Sequence, residues 1–135
     1  MSCVFCKIIA GAEPAFVVHS DENVIAFLDI HPLFPGHVLI TPREHVEVLA
    51  DLADSLLLPL FSVTQKMSIA VKSAMCAEGT FVAMNNKVSQ SVPHLHVHVV
   101  PRKKGDGLKG FFWPRYRYKG EEEMKEVAEK IKDAL

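Results

Sequence analysis

Residues 94–100 read His94-Leu95-His96-Val97-His98-Val99-Val100. In a β-strand, successive side chains leave on opposite faces. One face then carries His94, His96 and His98, and the other carries Leu95, Val97 and Val99. The apolar face has a core to enter. The histidine face points to chemistry, because imidazole acts as nucleophile, acid, base or metal ligand near neutral pH. Taken from these residues alone, a purely metal-binding cluster and a row of solvent-facing histidines on an edge strand stand as alternatives.

The rest of the chain limits what that strand can belong to. It has 135 residues, the size of a single domain over 1–135, and 49% of them are hydrophobic, enough for a packed core. A net charge of −1 gives no global pull toward nucleic acid or membrane. No apolar run approaches the roughly 18 residues of a membrane span. The start, Met1-Ser2-Cys3-Val4-Phe5-Cys6, lacks a basic segment followed by an apolar one, so no secretory signal is visible. Three cysteines, an odd number, stand beside seven histidines. This suits a reducing, cytoplasmic compartment and metal binding rather than disulfides.

Along the chain there is no internal repeat or low-complexity tract. Residues 5–10 predict a helical turn ending near Gly11. Phe16–His19 and Val24–Ile30 read as strands around the turn Ser20-Asp21-Glu22-Asn23, and Val38-Leu39-Ile40 as a third. Leu60, Val63, Met67, Ala70, Val71 and Ala74 fall at helical spacing and predict a long helix over about 55–77. Ser55 is its expected N-cap, Pro59 fits the first turn, and Gly79 suits its C-terminal side. Cys76 is expected in the core. Phe81–Asn85 and 94–100 read as the last two strands. Met124, Val127, Ala128, Ile131 and Leu135 mark a final amphipathic helix, whose acidic Glu121-Glu122-Glu123 start suits the helix dipole. The sum is an α+β layer of antiparallel-capable strands with two helices on one side.

Polar residues cluster near the histidines. Asn85, Ser89, Gln90 and Ser91 lie just upstream, with Gln90 and Ser91 placed to contact phosphate or leaving-group oxygens. Asp29-Ile30-His31-Pro32 ends one strand, and Pro35-Gly36-His37-Val38 opens the next. Cys3-Val4-Phe5-Cys6 is a Cys-x-x-Cys pair. Zinc takes four N or S ligands, so two more would have to come from elsewhere; two ordinary thiols are the alternative.

Asp29-Ile30-x-Pro32, Pro35-Gly36-His37, Pro42-x-x-His45-Val46 and Gln90-Ser91-Val92-x-His94-x-His96-x-His98-Val99-x-Pro101-Arg102 occur in this order. The pattern resembles the histidine-triad (HIT) family of nucleotide-binding proteins, from about Cys3 to Arg102. The resemblance implies a HIT-like antiparallel sheet that pairs into a two-fold homodimer, with 103–135 a family-variable extension. It implies a nucleotidyl hydrolase or transferase acting at the α-phosphate of purine nucleotides, either nucleoside phosphoramidates or dinucleoside polyphosphates. His96 would be the nucleophile, forming a covalent nucleotidyl-imidazole. The His94 carbonyl would fix its tautomer, His98 would bind the α-phosphate, and His37 would support the triad. Asp29 would take the ribose hydroxyls and Ile30 would pack on the base. Asn85, Ser89, Gln90 and Ser91 would contact the phosphate side. The resemblance also completes a structural zinc site with His45 and His94 beside Cys3 and Cys6; no catalytic metal is expected.

Two features depart from the pattern or extend it. Asn86-Lys87-Val88-Ser89 replaces a longer, glycine-rich stretch of the family, which bears on Ser89 and the leaving group. Residues 102–119 hold seven Lys or Arg against Asp106, interleaved with Phe111, Phe112, Trp113, Tyr116 and Tyr118. Trp113-Pro114 is similar to a family element near the active site, so Trp113 is a candidate nucleotide contact. Charge to phosphate and rings to bases would also suit single-stranded nucleic acid. Removal of adenylate from nucleic-acid 5′ ends is therefore one alternative function, and a non-catalytic nucleotide-binding module is another.

Overall fold

The computed structural model describes residues 2–108 and 115–135. In chain order it contains α1 (Val4–Ile9), β1 (Val17–Ser20), β2 (Val24–Leu28), β3 (Val38–Pro42), a 3-10 turn (Leu49–Asp51), α2 (Asp54–Ala74), β4 (Gly79–Ala83), β5 (Val97–Arg102) and α3 (Glu121–Ala134). The strands form one antiparallel sheet in the order β1-β2-β3-β5-β4. This is the expected α+β architecture.

The two-residue period of the strands sorts their side chains between two cores. Val24 and Ala26 of β2, Val38 and Ile40 of β3, and Val97 and Val99 of β5 pack with Leu60, Val63 and Val71 of α2. Their alternates Ile25, Phe27 and Leu39 pack with Phe5 of α1 on the opposite face. Of the two helices expected on one side, only α2 packs against the sheet. α1 covers the second face, and α3 buries none of its residues although its apolar positions recur as the sequence predicts.

The long helix begins and ends differently from the sequence expectation. Ser55 lies inside it; Ala53 is the N-cap and makes no side-chain cap bond. The helix ends at Ala74 with Met75 as its C-cap, short of the expected 77. Cys76 adopts a left-handed φ of 51°, Ala77 N–H donates to Lys72 O at 2.9 Å, and Cys76 N–H donates to Ser73 O at 3.2 Å. These are the paired bonds that close a helix C-terminus on a left-handed residue. Cys76 is consequently exposed rather than in the core, and Gly79 opens β4. Other strand ends shift by one to three residues from their expected bounds.

Candidate functional site

The histidine segment departs from a simple strand. Ladder pairing begins at Val97, opposite Ile40, so His94, Leu95 and His96 precede β5. His94 N–H closes a tight turn on Val92 O at 2.8 Å, and Leu95 N–H pairs with Val46 O at 2.7 Å. The alternation survives without the ladder. Leu95 is fully buried in the α2 core, while the three imidazoles turn the other way and divide between two sites.

His94 belongs to the first site. Its ring is fully buried, and Nε2 lies 2.8 Å from Pro42 O. A carbonyl only accepts, so Nε2 carries the proton and Nδ1 keeps a lone pair. That Nδ1 lies 3.6 Å from Cys3 Sγ, 3.6 Å from Cys6 Sγ and 3.1 Å from His45 Nδ1, with Cys6 Sγ 3.2 Å from His45 Nδ1. Zn–N and Zn–S lengths give tetrahedral edges of roughly 3.3 Å for N···N and 3.6 Å for N···S. The four donors therefore fit one tetrahedral ion, and the Pro42 bond orients the imidazole as such a site requires. Burial, helped by Cys3, raises the Cys6 thiol above its usual range. A bound cation reverses that preference by stabilising thiolate. Pro42 was not legible as a partner, since its contribution is a backbone carbonyl.

His96 and His98 belong to the second site. His96 Nδ1–H donates to His94 O at 2.7 Å, which leaves its Nε2 as the free lone pair. Phe5 meets the ring edge-on, with centroids 5.0 Å apart. Burial holds His96 below the ordinary histidine range, against the weaker opposing effects of the His94 carbonyl and Asp29. The imidazole is thus neutral at pH 7.

A relay sets the tautomer of His98. Leu33 N–H donates to His37 Nδ1 at 3.0 Å, so the proton of a neutral His37 sits on Nε2. That Nε2 lies 2.9 Å from His98 Nδ1, which must accept. His98 therefore carries its proton on Nε2, as a donor. Burial, with His96 and His37 nearby, lowers its pKa to about 4. Asp29 Oδ1 accepts from His31 N–H at 2.9 Å, and its Oδ2 lies 3.6 Å from His37 Nε2. Asp29, His37 and His98 are close enough to suggest a second metal centre. The Leu33 bond argues against it, because His37 would have to surrender that bond to offer Nε2 as a ligand.

These side chains open into a cavity of about 460 Å³, within the range of small-molecule sites. Asp29, Ile30, Ser91, His96 and His98 line it. Its apolar walls come from Phe5 and Ile8 of α1, Phe27 and Leu39 of the sheet, and Pro14 and Ala15. Of these, the sequence reading identified none as site residues; the Phe5/Ile8 spacing on α1 was the available signal.

The loop residues expected on the phosphate side are mostly elsewhere. Gln90 Nε2–H donates to Glu47 O at 2.7 Å and its Oε1 accepts from Lys87 N–H at 3.0 Å, so its amide braces the loop. Asn85 Nδ2–H donates to Ser89 O at 3.2 Å. The shortened loop turns through left-handed Lys87 and Ser89, with φ of 69° and 61°. Asn85, Ser89 and Gln90 do not line the cavity; Ser91 does. Trp113 lies outside the described residues. In the basic segment, Arg102 is held by Asp106 through Nε–H at 2.6 Å and Nη2–H at 3.1 Å, and Tyr116 donates to Glu123.

The arrangement has close counterparts. A profile described as the HIT domain matches residues 10–105. The chain belongs to the HIT family. It is 41% identical to the protein hit of Bacillus subtilis over 83% of this chain and 79% of that one. It is 33% identical to an adenosine 5′-monophosphoramidase of Schizosaccharomyces pombe, covering 100% of this chain and 99% of that one. Among solved structures, a HIT family member from Bacillus subtilis superposes with a TM-score of 0.91 at 34% identity, over 100% of this chain and 98% of the other. A zinc-bound histidine-triad protein from Mycobacterium smegmatis does so with a TM-score of 0.77 at 33% identity, over 100% and 99%. No helix among the described residues is long and apolar enough to cross a membrane.

Proposed function

We propose that this HIT protein is a nucleotidyl hydrolase that cleaves purine nucleoside 5′-phosphoramidates, with dinucleoside polyphosphates as the second substrate class. The observation that carries the reading is His96, a buried, neutral imidazole whose Nδ1–H is tied to His94 O at 2.7 Å and whose ring lines a nucleotide-sized cavity. A carbonyl acceptor on one nitrogen makes the other a competent nucleophile. The phosphoramidase name of the Schizosaccharomyces relative supports the same chemistry.

In this mechanism His96 Nε2 attacks the α-phosphorus, and the bond from phosphorus to the leaving amine or phosphate breaks with its electron pair. The amine takes a proton from solvent. His98 Nε2–H donates to a non-bridging oxygen, and Ser91, which lines the same cavity, offers a second donor. Charge developing in the transition state then meets preset donors. Water next attacks the nucleotidyl-imidazole and gives up a proton to solvent, the P–N bond breaks, and its electron pair returns to Nε2. Asp29 accepts from the ribose hydroxyls, and Ile30 with Phe5 and Ile8 packs on the base.

Cys3, Cys6, His45 and His94 would hold one zinc ion. All four positions are protein groups, so zinc here supplies cross-linking of the N-terminus to the His94 segment rather than an open Lewis-acid site. A two-fold dimer is part of the same reading. Leu58 and Ile69 of α2 are 76% and 68% exposed, and Val82 on edge strand β4 is 43% exposed, as a partnered surface would require.

The test is turnover of an adenosine phosphoramidate and a diadenosine polyphosphate by the native chain and by His96→Ala, with acid-quench capture of labelled adenylyl-protein. Phosphoramidate cleavage and a trapped adduct, both lost in the variant, are expected. Native rates in His96→Ala would eliminate the covalent route.

A further inference from the structure

We infer that Glu13 reads the base of the nucleotide and favours guanine over adenine. The inference rests on the nucleotide reading of the cavity above.

Six polar side chains line that cavity: Glu13, Asp29, His31, Ser91, His96 and His98. In the proposed mechanism His96, His98 and Ser91 serve the phosphate, and Asp29 serves the ribose. His31 follows Ile30 beside Asp29. Glu13 is left without a task in hydrolysis. Phe5 touches the His96 ring, Ile8 follows one helical turn later, and Glu13 N–H is bonded to Lys7 O at 3.2 Å. Glu13, on the segment that follows α1, lines the cavity together with Ile8, Pro14 and Ala15, and meets the base if the phosphate sits at His96 and the base on that segment.

Its backbone is held. Ala12 and Glu13 both donate to Lys7 O, and the following Pro14 restricts Glu13 to extended conformations. Among the described residues the carboxylate has no hydrogen-bond or ion-pair partner, so its acceptors remain open to a ligand. The other residues of that stretch of chain at the cavity are apolar: Ile8, Pro14 and Ala15. An ionised carboxylate only accepts. Guanine presents N1–H and the 2-amino group side by side, two donors that match two carboxylate oxygens. Hypoxanthine keeps N1–H but lacks the amino group. Adenine presents a lone pair at N1, which a carboxylate repels, beside its 6-amino donor. The expected order is therefore guanine, hypoxanthine, adenine.

The experiment compares kcat/KM for guanosine, inosine and adenosine 5′-phosphoramidates in the native chain, Glu13→Gln and Glu13→Ile, with GMP, IMP and AMP binding to His96→Ala measured by calorimetry. The native chain is expected to favour guanosine over adenosine by on the order of fivefold, the scale of one solvent-facing charged hydrogen bond. Glu13→Gln, whose amide both donates and accepts, should bring the ratio to unity or reverse it, and Glu13→Ile should flatten it. Cleavage of all three with a ratio that neither variant changes would overturn the inference and leave the hydrolase reading intact. Failure to cleave any, with GMP still bound more tightly than AMP through Glu13, would overturn the hydrolase reading and uphold this one.

Discussion

The carbonyl oxygen of His94 accepts the Nδ1–H of His96 at 2.7 Å, while the His94 ring faces Cys3, Cys6 and His45. One residue thereby joins the candidate metal centre to the candidate nucleophile, ring on one side and backbone on the other. The metal centre should then govern not only stability but also the aim of His96. Cys6→Ser or exhaustive chelation should take bound zinc from about one equivalent to near zero and lower Tm by at least about 5 °C. The ¹⁵N signals of the His96 ring should change from a single Nδ1–H form to a mixture of tautomers. A metal-free protein with unaltered Tm and an unaltered His96 spectrum would refute the coupling.

His37 acts at one remove from the substrate, by presenting Nε2–H to His98 Nδ1 at 2.9 Å. His37→Ala should release the His98 tautomer and misalign its donor, costing about 10- to 100-fold in kcat, with a smaller change in KM because the base and ribose contacts remain. Ring ¹⁵N shifts would distinguish this from loose packing: His98 should lose its uniform Nε2–H form. Equal loss in kcat and KM with the tautomer retained would assign His37 a packing role only.

Much of this was legible in the sequence for a simple reason. The strand period that puts Leu95, Val97 and Val99 into one core also puts the imidazoles on the other side, and both sets follow from residue type alone. The grouping of Cys3, Cys6, His45 and His94 needed the family pattern, since nothing in the spacing of Cys-x-x-Cys says which distant residues complete a tetrahedron. What stayed hidden depended on backbone groups. Pro42 O, Val46 O, Glu47 O and Leu33 N–H position His94, Leu95, Gln90 and His37, and a backbone carbonyl looks the same in every sequence. Gln90 illustrates the cost: an amide side chain beside the triad suits phosphate, yet in a loop this short it is consumed by Glu47 and Lys87. The end of α2 was misplaced because Cys76 adopts the left-handed conformation that glycine ordinarily fills.

The buried histidines fix the sign of the acid response. His98 has a pKa of about 4 in the folded chain against an ordinary 6.5, for burial first and then for neighbouring His96 and His37. Between those values the unfolded chain binds more protons than the folded one, so stability rises with pH through this window and is lost on acidification from 6.5 toward 4. Burial moves His37, His94 and His96 in the same direction. Denaturant midpoints should fall steadily from pH 7 to pH 5 and hold nearly constant from pH 7 to pH 8. Proton NMR should place the His98 midpoint well below pH 6; a midpoint at the ordinary value would contradict its burial.

Gly36 immediately precedes His37, and its backbone φ of +94° is one that side chains rarely tolerate. A Cβ there would lie 2.5 Å from Met75 Cγ and 3.4 Å from Pro101 Cγ. Gly36→Ala therefore meets two separate penalties, backbone strain of about 1–3 kcal/mol and a clash with the residue that caps α2. The clash is with a flexible side chain and can be relieved; the φ cannot. Urea unfolding of Gly36→Ala, Met75→Ala and the double variant separates the two. The double variant should be more stable than the sum of the single effects predicts, because removing Met75 abolishes the clash. It should remain less stable than Met75→Ala alone, by the strain that the alanine φ retains. Strict additivity would mean that Met75 already yields without cost and that the conformation of Gly36, not the space around it, is what the Pro35-Gly36-His37 turn demands.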